Sequence, residues 1–354
     1  MSLLGLNPSP ERIKLAKQVL DWQCRHDIQI REFDERQKNL MLEDVSYSIE
    51  CLSMALKFES GPTFREHARW LREVLVNRLP QHAPEGIKQM LIWHYRSLRQ
   101  LFAQTLPPGK AVLADRFLQH AIEATAEFSD EPVASEQFAV GPYAELRREY
   151  LAVLLGNDRM SAIRVIMEAH HAGIPVPELC VDVLQPVMYQ VGQLWQQGEL
   201  TVGQEHRSAL ITQAVMARLS AERRGVARRG KAIVACSAGA ELHEIGVRMI
   251  CEIFELNGWD SFCPGAAVPL CKVLQAVDTQ KADLLALSVT MPIHLDYCFQ
   301  VVKAARERFD NLRIAVGGRP FLVDPDLWRR WPADICVGDA AQFVEWANQA
   351  FGLR

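Results

Sequence analysis

One short motif combines residue types that could contact a bound ligand. Glu241, His243 and Gly246 form the pattern E-x-H-x-x-G directly after KAIVAC, an apolar run with the character of a buried strand. An isolated histidine is more often a core or surface residue. However, parallel sheets bind their ligands in the loops at the carboxyl ends of the strands, and this motif occupies such a loop. The imidazole and the carboxylate are therefore candidate ligand contacts.

Two further patterns stand at the ends of later apolar runs. Ser288 and Thr290 end the run ADLLALSVT, and Gly317 and Gly318 end the run RIAVGG. Two adjacent glycines let the backbone approach a bulky ligand closely. They also occur in simple tight turns, so the glycine pair alone favours neither interpretation.

A tryptophan and a glutamate–histidine pair form a third pattern. In WQQGELTVGQEH, Trp195 is followed after nine residues by Glu205 and His206, giving W-x9-E-H. Gly198 predicts a break between two helices, so the second helix returns the pair towards the tryptophan. The alternative interpretation is a core aromatic residue followed by a solvated pair in the first turn of a helix.

The elements that must position these residues follow from apolar periodicity. Apolar runs alternate with amphipathic segments, the runs at 231–236, 282–290 and 313–318 and the segments near 244–257, 269–280 and 295–308. Strand–helix alternation predicts a parallel sheet in a doubly wound, Rossmann-like α/β domain over 230–354. The first two patterns would then share its carboxyl edge.

The preceding residues are predicted to be helical. Four helices fit in 143–225, which favours a four-helix bundle. Pro186 should kink one of them, and Thr201 with Gln204 forms a capping-box pattern at the start of the last.

An all-α N-terminal domain is predicted over 1–135. Its amphipathic segments include 64–79 and 87–106, and the polar stretch 129–142 predicts its boundary. The chain is therefore a multidomain protein with a helical domain, a helical bundle and an α/β domain.

In their order and spacing, E-x-H-x-x-G, S-x-T and G-G resemble the cobalamin-binding domain that holds its cofactor base-off and His-on. The resemblance covers about 231–350, and the family pattern usually begins with Asp where this chain has Glu241. It implies that His243 is the lower cobalt ligand and that Glu241 accepts a hydrogen bond from its other nitrogen. The remaining cofactor contacts that we predict in this domain are Glu244, Gly246, Ser288, Thr290, Gly317 and Gly318.

The W-x9-E-H pattern closely resembles the signature of CarH-type adenosylcobalamin photoreceptors. The resemblance implies that the bundle covers the upper face of the cofactor. It also implies that Trp195 packs against the 5′-deoxyadenosyl group, that Glu205 hydrogen-bonds to it, and that His206 lies beside them.

The chain departs from that family at two points. Gln196 stands where the family has the histidine that ligates cobalt after illumination, so His206 or water would have to serve. Nothing in 1–130 is typical of a helix-turn-helix domain, so we expect no direct DNA binding.

The stretch 44–75 looks like the N-terminal helical region of photocobilins, in which biliverdin lies close to the cobalamin. Biliverdin requires an apolar slot, cations for two propionates and polar groups near its pyrrole nitrogens. The alternative is that these residues are ordinary faces of amphipathic helices. Cys24 or Cys51 could in principle attach a bilin covalently, although no local feature marks either as a reactive thiol. The candidate bilin contacts are His67, Arg69, Trp70, His94 and Tyr95, with Arg65, Arg72 and Arg96 as further cations.

Composition limits the class of protein. The chain has 354 residues, of which 49% are hydrophobic and 23% charged, as in globular proteins. It contains no apolar stretch of membrane-spanning length and no signal-peptide pattern. Its nine cysteines form no CxxC pair, which fits a reducing cytoplasm. A formal charge of −4 gives no electrostatic reason for nucleic-acid binding.

Together these features favour a cytoplasmic light sensor rather than an enzyme. It would use adenosylcobalamin, with biliverdin as an optional second chromophore. We expect a light-dependent homo-oligomer that binds an unidentified signalling protein and no membrane. The alternatives are a corrinoid methyl carrier of a methyltransferase system and a dark cobalamin-sensing anti-repressor. A mutase is disfavoured because this length leaves no room for a substrate barrel.

Overall fold

The structure is a computed structural model that describes residues 9–79, 82–127, 136–222 and 226–353. The predicted boundary stretch 129–142 therefore lies outside the described residues as far as residue 135. Contacts divide the chain into two units, made of the described parts of Met1–Pro132 with Gln196–Gly198 and of Val133–Trp195 with Glu199–Arg354.

None of the described helices is long and apolar enough to cross a membrane.

The first unit is helical, as predicted. Its helices are α1 (Pro10–His26), α2 (Ile28–Arg31), α3 (Glu35–Lys57), α4 (Gly61–Arg78), α5 (Pro84–Thr105) and α6 (Pro108–Glu127). Asp34 and Gln37 form a capping box that starts α3. Prolines stand in the first turns of α1, α4 and α5, where the missing N–H costs no helical hydrogen bond.

The helices that begin the second unit are α7 to α12. They are α7 (Glu136–Ala139), α8 (Ala144–Leu155), α9 (Arg159–His171), α10 (Val176–Glu178), α11 (Gln185–Gln196) and α12 (Val202–Ala221). A π-helical segment, Leu179–Leu184, joins α10 to α11, and the N–H of Gln185 donates to the carbonyl of Cys180. The π-helical hydrogen bonds end directly before Pro186, which has no N–H to donate. The helix therefore changes from π-helical to α-helical hydrogen bonding at this proline.

The predicted cap of α12 is confirmed. The hydroxyl oxygen of Thr201 accepts a hydrogen bond from the backbone N–H of Gln204 at 3.3 Å. In return, the side-chain oxygen of Gln204 accepts from the backbone N–H of Thr201 at 2.9 Å. This reciprocal pair fixes where α12 begins and hence where Glu205 lies in its first turn.

The rest of the second unit is a parallel α/β fold. Its strands are β1 (Ala232–Ser237), β2 (Asp260–Phe262), β3 (Leu284–Ser288), β4 (Arg313–Gly317) and β5 (Ile335–Val337), in the order β2-β1-β3-β4-β5. The connecting and flanking helices are α13 (Ile245–Leu256), α14 (Leu270–Thr279), α15 (Leu295–Arg308), α16 (Arg319–Val323) and α17 (Ala340–Ala350). All four strand pairs are parallel, so the predicted doubly wound α/β fold is confirmed. The short strands β2 and β5 were not predicted.

One continuous hydrophobic core joins the helices of the second unit to its sheet. Buried residues of α11 and α12, such as Val187 and Val215, belong to the same cluster as Ile233 of β1 and Phe254 of α13. Burial of apolar surface is the main favourable term in folding. Moving the helices away from the sheet would therefore expose a large part of this core.

Gly318, directly after β4, is the position where the fold tolerates a side chain least. Its φ is +104°, and a β-carbon there would lie 2.0 Å from the carbonyl oxygen of Val289. We expect Gly318→Ala to lower the free energy of unfolding by about 2–4 kcal/mol, because a backbone overlap cannot be relieved by a rotamer change. Urea unfolding followed by circular dichroism measures this difference.

Gly246→Ala is the control, since an added β-carbon there meets nothing within 4 Å. It should unfold at the wild-type urea concentration or above. Unfolding of Gly318→Ala at the wild-type midpoint would contradict the steric argument.

Candidate functional site

The site lies where the sheet changes its direction of growth. β1 pairs with β2 on one side and with β3 on the other, so the chain after β2 returns across β1 to form β3. The loops after β1 and β3 consequently leave the sheet next to each other, which is where doubly wound sheets bind ligands. The loop after β1 carries Glu241 and His243, and the loop after β3 carries Thr290.

The side chain of Glu241 joins these two loops. Oε2 accepts hydrogen bonds from the backbone N–H groups of Thr290 at 3.0 Å and Met291 at 2.9 Å. Oε1 accepts a hydrogen bond from Nδ1 of His243. Glu241 is only 1% exposed, and burial of a carboxylate is tolerated only when such donors compensate it. The carboxylate thus fixes the imidazole relative to the end of β3.

The imidazole of His243 is held at one nitrogen and free at the other. Nδ1 is bound to Glu241, and Nε2 has no hydrogen-bond partner among the described residues. The side chain is 55% exposed. The hydroxyl of Ser237 donates to the backbone carbonyl of His243 at 3.0 Å and so anchors the loop below the ring. An imidazole oriented by a carboxylate with its other nitrogen free is the usual arrangement of a metal-binding histidine.

The electrostatics of the pair agree with this geometry. Burial lowers the pKa of His243, but the hydrogen bond and charge of Glu241 and the charge of Glu205 outweigh it, so the pKa is raised. Burial raises the pKa of Glu241, but His243 and the N–H of Met291 outweigh it, so that pKa is lowered. The effect of Glu205 means that its carboxylate, in the first turn of α12, lies near the His243 loop.

The W-x9-E-H residues occupy different environments. Trp195 is partly buried and packs against the core of the second unit. The side chain of Glu205 is 23% exposed, whereas that of His206 is 67% exposed, with its Nε2 3.4 Å from a Glu205 oxygen. Of the three, Glu205 is the residue that the structure brings to His243.

The predicted glycines differ in what surrounds them. A β-carbon on Gly317 would lie 2.6 Å from the carbonyl oxygen of Val337, and one on Gly318 would meet Val289. The neighbouring strands and loops therefore already require both glycines. Gly246, in contrast, faces open space at the start of α13. Ser288 ends β3 in register with Gly317.

Glu244 connects two helices. Its Oε1 accepts hydrogen bonds from Nε2 of Gln213 on α12 at 3.1 Å and from Nη2 of Arg248 on α13 at 3.0 Å. Sequence reasoning did not identify Gln213 or Arg248. The i,i+4 spacing of Glu244 and Arg248 signals their ion pair, but no sequence pattern signals the contact with α12.

In the first unit the structure brings together four of the five candidate bilin contacts. Ring contacts link Tyr47 to His67 (5.3 Å between centroids) and to Trp70 (5.5 Å), and His94 to Tyr95 (5.1 Å). His94 also acts electrostatically on His67.

The cationic candidates lie mostly at the surface. Arg69 is ion-paired with Glu73 at 3.1 Å, Arg65 is 59% exposed, and Arg96 stacks on Trp93, whereas Arg72 is buried.

Burial decides the protonation of this region. It lowers the pKa values of His67 and His94 to about 3, with the charge of His94 contributing at His67, so both imidazoles are neutral at physiological pH. They can offer hydrogen bonds but no positive charge to a ligand. Burial also raises the pKa of the Cys24 and Cys51 thiols, which opposes formation of the reactive thiolate.

Comparison with known proteins identifies the ligand class. Residues 146–220 match one family model and residues 230–345 match another, and both are described as B12 binding domains. The second unit contains a cobalamin-binding module. Its helical part and its α/β part each account for one of the two matches.

One curated relative is similar to part of the chain. The HTH-type transcriptional repressor CarH of Myxococcus xanthus is 31% identical over 108 residues, which are 30% of this chain and 35% of that protein. The chain therefore spans about a third of the length of this curated relative.

Comparison with solved structures shows a likeness in fold to a corrinoid protein. The monomethylamine corrinoid protein of Methanosarcina barkeri has a TM-score of 0.52 and 20% identity, covering 59% of this chain and all of that one. A cobalamin-binding protein of Desulfitobacterium hafniense DCB-2 has a TM-score of 0.32 and 22% identity, covering 58% of this chain and 97% of that one. At 20% identity the likeness to the M. barkeri protein concerns the fold alone.

The residues of the cobalamin-binding module fit a corrin. A corrin would bring its own nitrogen ligands for cobalt, so the protein would need to supply one further donor, and Nε2 of the half-exposed His243 side chain has no hydrogen-bond partner among the described residues. At Gly246, three positions after His243, a β-carbon would meet no protein atom within 4 Å, so the start of α13 leaves open space. The buried carboxylate of Glu241 holds the donor in place.

Glu241→Gln tests this support. An amide can accept through only one side-chain oxygen, so it cannot hold both His243 and the two backbone N–H groups. We expect cobalamin affinity to fall about 10–100-fold, as measured by absorbance titration of the apoprotein in darkness. Glu345→Gln, on the exposed face of α17, should bind like the wild type. Equal affinity of both variants would refute the role of Glu241.

Proposed function

We propose that the protein is a light sensor that binds adenosylcobalamin base-off, with His243 as the lower cobalt ligand. When bound, this cofactor supplies a cobalt–carbon bond that visible light cleaves. The observation that carries the proposal is the contact of α12 with the His243 loop, where Gln213 donates to Glu244 at 3.1 Å and the charge of Glu205 raises the pKa of His243. This contact supports the inference that W-x9-E-H and E-x-H-x-x-G serve one site.

On the lower face, Glu241 would orient His243 and Nε2 would bind the metal. The displaced nucleotide tail would run along the edge of the sheet formed by Ser288, Gly317 and Gly318. Gly246 would leave room for it at the start of α13. The backbone N–H of Thr290 donates to Glu241, and this hydrogen bond holds the His243 loop against the loop after β3.

On the upper face, the helices of the second unit would form a four-helix cap. A 5′-deoxyadenosyl group has a flat ring and ribose hydroxyls. Trp195 offers an aromatic surface, and Glu205 offers a carboxylate whose nearest ion-pair partner among the described residues is the exposed His206. A methyl group has neither ring nor hydroxyl and would need neither residue, so this pair favours the adenosyl form.

The output would be a change in association. Departure of the adenosyl group would remove contacts with Trp195 and Glu205 that exist only in the dark state. A difference in ligand contacts between two states is what shifts a conformational equilibrium. Because the helices and the sheet share one core, repacking beside Trp195 would reach the surface of the unit.

The assembled protein would then change its self-association, or its binding to a signalling protein, in the cytoplasm and without contacting DNA. Because Gln196 stands where the family has a histidine, His206 would be the candidate nitrogen donor that this part of the chain offers to the metal, with water as the alternative.

We propose further that the first unit binds biliverdin. Gln23 Oε1, His94 Nε2 and Tyr95 Oη are buried and have no hydrogen-bond partner among the described residues. Unsatisfied buried polar atoms each cost about 1–3 kcal/mol, so a ligand that pairs with them gains that free energy. Neutral His94 and Tyr95 would pair with pyrrole nitrogens and ring carbonyls, His67 and Trp70 would line the ring, and Arg69 would meet a propionate.

Illumination of protein purified in darkness with adenosylcobalamin tests the light-sensor proposal. Green light should change the absorption spectrum, and size-exclusion chromatography with light scattering should show a changed oligomeric state. His243→Ala should lose the His-on spectral signature, while His171→Ala, an exposed histidine of α9, should behave like the wild type. An unchanged spectrum and oligomeric state would refute light sensing.

The same preparation separates the alternatives. A light sensor should prefer adenosylcobalamin to methylcobalamin, and Trp195→Ala should reduce that preference about tenfold. Preference for methylcobalamin, with methyl transfer to a partner enzyme, would indicate a corrinoid methyl carrier. The likeness in fold between this chain and the M. barkeri corrinoid protein is the observation that keeps this alternative open. Association that responds to cobalamin but not to light would indicate a dark cobalamin sensor.

Tyr95→Phe tests the bilin site. Protein produced with biliverdin should absorb in the red, and the variant should retain less pigment because it lacks the unpaired hydroxyl. Its unfolding free energy should equal or exceed that of the wild type, since the lost hydroxyl has no partner. Tyr189→Phe, an exposed tyrosine of the second unit, is the control. Equal pigment content in both variants would refute this contact.

A further inference from the structure

A cavity of about 490 Å³ lies between α12, α13 and β2 in the second unit. Arg248 and Cys251 of α13 line it on one side, and Ser261 and Cys263, in and after β2, line it on another. None of these residues belongs to the predicted cofactor contacts. The volume falls in the range of small-molecule sites.

The two cysteines of this cavity are paired. Each thiol shifts the pKa of the other as its hydrogen-bond partner, although eleven residues separate them in the sequence. Cys251 is 7% exposed and Cys263 is partly exposed. Packing of α13 against β2 brings the pair together, and both residues line the cavity.

Their environments make the two thiols unequal. The hydrogen bond from Cys251 lowers the pKa of Cys263, and the N–H of Gly265 and the charge of Arg248 act in the same direction against burial. The pKa of Cys251 is raised by the same hydrogen bond and by burial. Cys263 is therefore the thiol that forms a thiolate first, and Cys251 is the deeper thiol beside it.

The cavity also offers polar atoms to a small molecule. Arg248 Nε and Ser261 Oγ are buried without a hydrogen-bond partner among the described residues. Such atoms favour a polar occupant, because each unsatisfied group costs free energy. The other end of the Arg248 guanidinium is held by Glu244 at 3.0 Å, so the cation is fixed at the cavity wall.

We propose that Cys251 and Cys263 are a redox-active dithiol that exchanges with a low-molecular-weight disulfide admitted to this cavity. The Cys263 thiolate attacks one sulfur of the small disulfide, a protein–small-molecule S–S bond forms, and the first small thiolate leaves. Cys251 then gives up its proton and attacks the Cys263 sulfur, which releases the second small thiolate. The protein dithiol loses two electrons and two protons, and the small disulfide becomes two thiols.

The test uses full-length holoprotein in darkness with oxidised glutathione and a matched set of variants. Mass spectrometry should find that the wild type loses two hydrogens and that the peptides of Cys251 and Cys263 become linked. Cys251→Ser should accumulate glutathione on Cys263, whereas Cys263→Ser should leave Cys251 unmodified. Cys271→Ser removes an exposed thiol of α14 and should react like the wild type.

Reaction at Cys271 with Cys251 and Cys263 still reduced would overturn the proposal, as would modification of Cys251 in Cys263→Ser at the wild-type rate. If a serine variant fails to fold, alkylation of the wild type against pH replaces it. The alkylation rate of Cys263 should rise with pH around a midpoint near 7, because its hydrogen bond with Cys251 lowers the pKa of this thiol to about 7. A midpoint at or above the ordinary thiol value of about 9 would equally refute it.

Discussion

The site depends on one buried carboxylate with donors on two loops. Glu241 receives the Nδ1 hydrogen of His243 and the backbone N–H groups of Thr290 and Met291. Loss of the Glu241 carboxylate would leave two backbone N–H groups unpaired and the imidazole without its hydrogen bond. The direction of Nε2 of His243 is therefore set by Glu241, a side chain that a bound ligand need not contact. Glutamate is one methylene longer than the aspartate of the resembling family, and in this chain it spans from the β1 loop to the end of β3.

A second constraint ties α12 to the same loop. Glu205 acts on His243 by charge, and Gln213 hydrogen-bonds to Glu244 at 3.1 Å. These two residues are eight positions apart, a little over two helical turns, so they lie on one face of α12. The hydrophobic core shared by α12 and α13 keeps that face against the loop. The groups proposed for the two faces of the cofactor are therefore held in one packed unit.

The sequence predicted the long apolar strands and the helices between them because burial on both faces leaves continuous hydrophobic runs. It did not predict β2 and β5, which have three residues each and are largely half-exposed. The sequence prediction grouped His67, Arg69 and Trp70 together, although residues three positions apart share a helix face and Arg69 therefore lies off the face of the other two. Neutrality of His67 and His94 follows from burial, and the Cys251–Cys263 pair follows from packing of α13 on β2, neither of which local sequence encodes.

Arg248 is common to the cofactor loop and the thiol pair. Its guanidinium binds Glu244, the residue after His243, and its charge favours the thiolate of Cys263, which the charge of Glu244 opposes. The two anions thus compete for one cation. A disulfide carries no charge, so after oxidation of the pair Glu244 would be the only one of these two groups that attracts the Arg248 cation. The hydrogen bond at the start of α13 should strengthen as a result, because charge-assisted hydrogen bonds are the strong ones in a partly buried setting.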